Sequence, residues 1–125
     1  MNVEIKTEDR RREKRYSMEK DTYAIIDHGE TRLGHIIDIS KGGMAFSYLG
    51  NEPLSHKDVE VDLFMYQNNY YVDTIPAQIV ANFEMPSTFY VRTIAMMRCC
   101  LQFKELSQKK RSELDFLLKN YVIDP

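Results

Sequence analysis

Residues 75–84, IPAQIVANFE, carry the most regular β-strand pattern in this sequence. Apolar side chains occupy every second position, which is typical of a strand with one face against a core: Ile75, Ala77, Ile79, Ala81 and Phe83. Proline cannot donate a hydrogen bond to a neighbouring strand, so Pro76 predicts a sheet edge or a bulge near the beginning of this one. The stretch therefore indicates a fold that is built on β-sheet.

Similar but shorter patterns occur on both sides of this stretch and predict further strands. They are Tyr16–Ile26, Leu33–Ile39, Met44–Leu49, residues 59–65, and one or two strands within Phe89–Phe103. Because side chains alternate between the two faces of a strand, we expect Met44, Phe46 and Tyr48 on one side of theirs.

The periodicity changes only near the C-terminus, where it becomes helical. One apolar stripe has helical spacing: Leu114, Leu117, Leu118, Tyr121 and Val122. Ser107 is a suitable N-cap, since its hydroxyl can accept a hydrogen bond from a free backbone N–H in the first turn. Six or seven short strands followed by one amphipathic helix predict an all-β fold with a terminal helix, namely a small antiparallel barrel with the helix packed on it.

Composition restricts the class of protein. A chain of 125 residues and 14.8 kDa with 43% hydrophobic residues is sufficient for one domain with its own core. The net charge of −2 argues against a general nucleic-acid coat protein.

There is no apolar run long enough to span a membrane and no apolar secretory segment at the N-terminus. Cys99 and Cys100 are adjacent, so their side chains point apart on a strand and a disulfide between them is unfavourable; we expect a reduced, cytoplasmic protein.

Residues 10–15, RRREKR, form the densest cluster of charge and contain five basic side chains. An arginine guanidinium is a planar fork of donors that matches phosphate, and also the O6/N7 edge of guanine. Arg11 and Arg15 are four residues apart, with Arg10 and Arg12 beside Arg11. Composition alone favours a solvated run of charge, so the cluster by itself does not define a site.

A second polar segment, residues 38–43, follows a predicted strand and reads DISKGG. Asp38 and Ser40 are two residues apart and are expected to point the same way at the strand end. Gly42 and Gly43 allow the chain to turn with positive φ and allow a planar ligand to approach the backbone. An ordinary hairpin turn would explain this segment equally well.

The two segments together resemble the signature of the PilZ domain family, which is RxxxR followed by D/NxSxxG. Arg11 and Arg15 match the first half, and Asp38, Ser40 and Gly43 match the second, without a departure. The C-terminal end, LQFKEL at 101–106 followed by a leucine-rich helix, is also similar to that family. Many members have a glycine where this chain has Cys100.

The resemblance implies a fold and a division of the chain. The implied fold is a six-stranded antiparallel PilZ-like β-barrel with a C-terminal α-helix packed on it. The domain is expected over residues 8–122, with the barrel at about 16–105, the helix at about 108–122, and a flexible N-terminal arm at 1–7.

The resemblance also implies a bacterial receptor or adaptor for cyclic di-GMP that has no cofactor and no metal. Arg11 and Arg15 would hold phosphate and the guanine edge, with Arg10 as a helper. Asp38 and Ser40 would bond guanine or fix the loop, and Gly43 would supply the backbone turn. Ligand binding would order the arginine arm, and the changed surface would signal to a partner protein.

Two alternative functions remain open at this stage. One is an interaction adaptor of the same fold that works without nucleotide; the other is a small RNA-binding barrel, which the net charge disfavours. No catalytic apparatus is recognisable, and His28, His35 and His56 are scattered without metal-ligand spacing, so we expect no enzyme and no metal site. The regulated process, the number of ligand molecules bound, the role of the cysteines, and the choice between monomer and homodimer are not determined by the sequence.

Overall fold

A computed structural model describes residues 14–18, 21–27, 31–50, 53–66, 69–86 and 95–123. Within these ranges the chain forms eight strands and one helix. In order they are β1 (Tyr16–Met18), β2 (Thr22–Asp27), β3 (Thr31–Ile39), β4 (Gly43–Gly50), β5 (Asp58–Met65), β6 (Tyr70–Glu84), β7 (Ala95–Phe103), α1 (Gln108–Asn120) and β8 (Val122–Ile123).

Six of the strands close into an antiparallel barrel. The order is β2-β5-β6-β7-β4-β3, and the ring closes because β2 also pairs with β3. The short strands β1 and β8 lie outside the ring, with β1 on β3 and β8 on β1. The structure confirms the predicted six-stranded barrel with a C-terminal helix.

The predicted single strand Tyr16–Ile26 is wrong, because the chain breaks at Asp21. That residue has a φ of 64°, a left-handed conformation that Asp tolerates better than most residues and that ends an extended segment. The two pieces then pair with different halves of β3. β1 lies beside Asp38 and Ile39, whereas β2 lies beside the segment 31–35.

The longest strand, β6, contains the stretch 75–84 and is irregular at two places. Pro76 is not at a sheet edge, since β6 pairs with both β5 and β7; the register shift against β5 lies immediately before it, near Thr74. A second shift, between Ile79 and Ala81, reverses the faces of the strand. The predicted inward position of Phe83 is therefore wrong: its side chain is 45% exposed.

Alternating side chains from the barrel strands fill the core. Those that are almost fully buried include Met44, Phe46 and Tyr48 of β4, as predicted, with Val61, Leu63, Met65, Val72, Ile75, Cys99 and Leu101 from the other strands. Each large aliphatic side chain that is removed from water in this way stabilises the fold by about 1.5–3 kcal/mol.

The helix α1 packs on the barrel through Leu114 and Leu117, both buried. The hydroxyl of Ser107 accepts a hydrogen bond from Lys110 N at 3.2 Å, which confirms the predicted N-cap. Tyr70 of β6 donates a hydrogen bond to the Glu113 carbonyl at 2.9 Å and thereby ties the helix to the sheet. The predicted helix extended two residues too far, because the chain leaves α1 at Asn120 and forms β8.

Candidate functional site

The strand β3 delivers Asp38 to the outer surface of the barrel because of a bulge. Gly34 and Ile36 are buried, so simple alternation would also bury position 38. The register with β4 shifts between Ile36 and Asp38, which leaves Ile37 as an extra residue. As a result Ile39 enters the core with no exposed surface, while the Asp38 side chain stays 24% exposed.

Two arginines converge on the Asp38 carboxylate from different parts of the chain. Arg15 lies immediately before β1, and its Nη1 donates a hydrogen bond to Asp38 Oδ1 at 3.0 Å. Arg98 of β7 approaches from the other side, with Nη2 3.6 Å from Asp38 Oδ2. Because guanidinium groups remain charged at any physiological pH, two positive charges face one negative charge. The cluster therefore has an excess of one positive charge and many unused donors, which favours an anion.

Ser40 occupies the turn between β3 and β4 and is 2% exposed. Its hydroxyl oxygen accepts hydrogen bonds from the N–H groups of Gly42 at 3.1 Å and Gly43 at 3.2 Å, and it donates to the Gly43 carbonyl at 3.3 Å. The backbone N–H of Ser40 donates to the same carbonyl at 2.8 Å. Of the two roles expected for Ser40, this geometry corresponds to fixing the loop.

Gly43 begins β4, where the backbone comes very close to β7. A Cβ at this position would lie 2.2 Å from the carbonyl oxygen of Leu101, so no larger residue fits without separating the strands. Its φ is outside the left-handed region, so the expected role in a positive-φ turn is wrong. The turn is also held to β7 by the hydrogen bond from Phe103 N–H to the Gly42 carbonyl at 2.9 Å.

The structure brings together four of the six residues that were predicted for the site: Arg15, Asp38, Ser40 and Gly43. Arg10 and Arg11, and the predicted arm at 1–7, lie outside the described residues.

Arg98 was not predicted from the sequence. The available signal was that it is the only charged side chain in the apolar run AMMRCCL at 95–101, at a position between the buried Met97 and Cys99. That pattern places Arg98 on the outer face of its strand. It does not reveal that Asp38 lies nearby, because this depends on the register of two strand pairs.

Short side chains occupy the outer face of the barrel beside this cluster. Across the barrel surface, Asp38 is level with Ala45 of β4, Cys100 of β7 and Ala81 of β6. Ala45 is 1% exposed although it alternates with core residues. The outer face of the barrel level with Asp38 is thus lined by short side chains.

Cys99 does not show the features of a reactive thiol. Burial, together with the neighbouring thiol of Cys100, raises the pKa of Cys99 to about 12, so its thiol stays protonated at neutral pH. In the part of the chain that the structure describes, no three His, Cys, Asp or Glu side chains are grouped closely enough to hold a metal ion. Within the same part, no helix has the length and apolar character needed to cross a bilayer.

Comparison with known proteins identifies relatives of this fold. The family model of the PilZ domain matches residues 9–120. The solved PilZ domain of YcgR from Escherichia coli, with c-di-GMP, is 20% identical and superposes with a TM-score of 0.66 over 88% of this chain and 92% of that one.

Two structures of MrkH from K. pneumonia are similar to the same degree. The complex with c-di-GMP is 21% identical with a TM-score of 0.65, and the apo form is 23% identical with a TM-score of 0.64. They cover 87% and 86% of this chain, which spans only 51% and 49% of MrkH. A search among curated protein sequences found no match. At these identities the structural matches establish a shared fold.

Proposed function

The chain belongs to the PilZ domain family, and we propose that it is a receptor that binds cyclic di-GMP. The observation that carries this proposal is the ion pair of Arg15 with Asp38 at 3.0 Å, on the outer face of the barrel beside the Ser40 turn. The relatives YcgR and MrkH, which share this fold, have both been solved with c-di-GMP.

The chemistry of the cluster suits this ligand. Cyclic di-GMP has two phosphates, which are acceptors, and two guanines, whose edges offer both acceptors and N–H donors. Arg15 uses one guanidinium nitrogen on Asp38 and retains the others for the ligand. The Asp38 carboxylate accepts hydrogen bonds only, so it complements the N–H edge of a guanine. Donors for phosphate and an acceptor for the base therefore stand side by side.

Residues of the N-terminal segment complete the proposed site. The resemblance to the family signature assigns Arg11 the same role as Arg15, with Arg10 as a helper. We propose that ligand binding orders residues 8–15 against the barrel and that a partner protein reads the resulting surface. Arg15 supports this idea, because it joins that segment to β1 and is tied to Asp38.

The expected affinity follows from the number of charged contacts. Each charge-assisted hydrogen bond contributes about 1.5–3 kcal/mol. Several such bonds, less the cost of ordering the arm, give a Kd of about 1 μM, which corresponds to about −8 kcal/mol.

Isothermal titration calorimetry with cyclic di-GMP tests the proposal. The set comprises the wild type, Arg11→Ala, Arg15→Ala and, as a matched control, Arg111→Ala, which removes one positive charge from the exposed side of α1. We expect micromolar binding by the wild type and the control, and binding at least about 10-fold weaker for the two signature variants. Cyclic di-AMP, which has the same phosphates but no guanine, should bind more weakly.

Absence of a heat signal for the wild type at tens of micromolar ligand, confirmed by an equilibrium dialysis measurement, would refute the receptor function and favour the nucleotide-independent adaptor. Hydrogen–deuterium exchange tests the ordering step separately. We expect residues 8–15 to gain protection when the ligand is added, and unchanged exchange there would contradict that step alone.

A further inference from the structure

Arg98 lies on the same outer face as Asp38, at some distance along the sheet. On β7 it is two residues from Cys100, which is level with Asp38, and one strand, β4, lies between β7 and β3. With strand spacings of about 4.8 Å and a rise of about 3.4 Å per residue, its Cα is about 10 Å across and about 7 Å along from that of Asp38. The side chain must therefore extend over the surface of β4 to place its guanidinium 3.6 Å from the carboxylate.

The donors of Arg98 are largely unused. The distance of 3.6 Å to Asp38 Oδ2 makes an ion pair but exceeds a normal hydrogen bond, whereas Arg15 holds Oδ1 at 3.0 Å. This ion pair is the one polar contact that the Arg98 guanidinium makes among the residues that the structure describes. Arg98 thus has five N–H donors, and its contact with Asp38 is an ion pair without a hydrogen bond of normal length.

The surface around Arg98 leaves room for a bound group. Its direct neighbours across the strands are Ser47 of β4 and Phe83 of β6. Ser47 is short, and the Phe83 ring is 45% exposed, so this part of the face is open to solvent. The Arg98 side chain itself is 30% exposed, which is enough for a ligand to reach its guanidinium.

We propose that Arg98 is a further ligand-binding residue and that it binds a phosphate of the dinucleotide. This inference rests on the proposed function, because it names an additional contact in the same site. Asp38 holds the guanidinium in place through charge, while Arg15 approaches from the opposite side. A phosphate that enters between the two guanidinium groups accepts hydrogen bonds from the Arg98 donors that Asp38 leaves free. Arginine and phosphate can form such contacts in a bidentate geometry.

Titration calorimetry with cyclic di-GMP on Arg98→Gln, Arg98→Lys and the control Arg111→Gln tests this assignment. Loss of one charge-assisted contact is expected to weaken binding by about 10- to 100-fold in Arg98→Gln. Arg98→Lys keeps the charge and loses the fork, so it should bind with intermediate affinity. Arg111→Gln should bind as the wild type does, because it removes the same charge from an exposed position of α1, where Arg111 donates to the Leu106 carbonyl and not to Asp38.

A structure of the wild-type complex provides a readout that a merely structural role would not produce, namely an Arg98 nitrogen within about 3 Å of a phosphate oxygen. The inference is overturned if Arg98→Gln binds within about twofold of Arg111→Gln, or if Arg98 contacts only Asp38 in the complex. In either case binding by the wild type would leave the receptor function standing. Conversely, a wild type that does not bind the dinucleotide refutes the receptor function itself. Thermal melts of each variant separate loss of binding from loss of folding.

Discussion

Replacing Gly43 with alanine adds one methyl group at the point where β4 approaches β7 most closely. The new Cβ would lie 2.2 Å from the Leu101 carbonyl oxygen, whereas an ordinary contact is 3.4–4 Å. The strands must therefore separate by about 1 Å, and the obstacle is backbone that cannot rotate away. Overpacking of this kind costs about 1–3 kcal/mol. For a domain of this size, we expect the melting temperature to fall by about 3–15 °C.

Gly50 offers a matched control at the other end of the same strand. An added Cβ there would meet the Tyr48 ring at 3.1 Å, and a side chain can shift by a few tenths of an ångström. We expect Gly50→Ala to cost less than about 1 kcal/mol. Thermal unfolding can be followed by circular dichroism or by fluorescence of the eight tyrosines, since the chain has no tryptophan.

The Gly43→Ala variant should also bind ligand less tightly. The Gly43 carbonyl accepts the Ser40 N–H at 2.8 Å, so movement of β4 disturbs the turn that adjoins Asp38. Equal melting temperatures for Gly43→Ala and Gly50→Ala would refute the close-approach explanation of this glycine. The requirement for glycine at position 43 would then need an explanation other than the close approach of β4 to β7.

Four further predictions concern charge, thiols and backbone strain. Arg15→Ala should lower the free energy of unfolding by less than about 1 kcal/mol, since its ion pair with Asp38 is partly exposed, as a urea titration can verify. Alkylation at pH 8 should label Cys100 in the folded protein and Cys99 only after unfolding, which peptide mass spectrometry can distinguish. Because the pKa of Cys99 is raised from 9.0 to about 12, its contribution to stability is present below pH 9 and is lost as the pH rises toward 12; Cys99→Ala should reduce this dependence. Thr74→Asn should raise the free energy of unfolding by about 0.5–1 kcal/mol, because Thr74 has a φ of 53°, and a lower urea midpoint would contradict this.

The parts of the fold that follow a regular period could be predicted from the sequence. The inward side chains of β4 and the helix with its Ser107 cap are examples, because alternation and helical spacing reflect burial directly. The failures are single-residue events. The positive φ of Asp21 divides a predicted strand, and the bulge before Ala81 turns Phe83 outward; neither changes the local pattern of apolar residues.

The candidate site could be predicted only as far as its signature extends. The motif supplied Arg15 and Asp38, which the structure places in contact at 3.0 Å. It could not assign Ser40 to the interior of the turn, since that depends on three hydrogen bonds made within four residues. It could not supply Arg98, because the approach of β7 to Asp38 is set by the register on both sides of β4.

The extra residue in β3 explains why a charged site and a closed barrel can share one strand. Without the bulge, regular alternation from Ile36 would direct Asp38 into the core and Ile39 to the surface. Burial of an unpaired carboxylate costs several kcal/mol, and the exposed isoleucine would lose its own burial energy, so the regular strand would be disfavoured twice. The bulge turns Asp38 outward, toward Arg15 and Arg98, and returns Ile39 to the core. The charged cluster therefore depends on the bulge, because a regular β3 of the same sequence would lose both the ion pairs of Asp38 and the burial of Ile39.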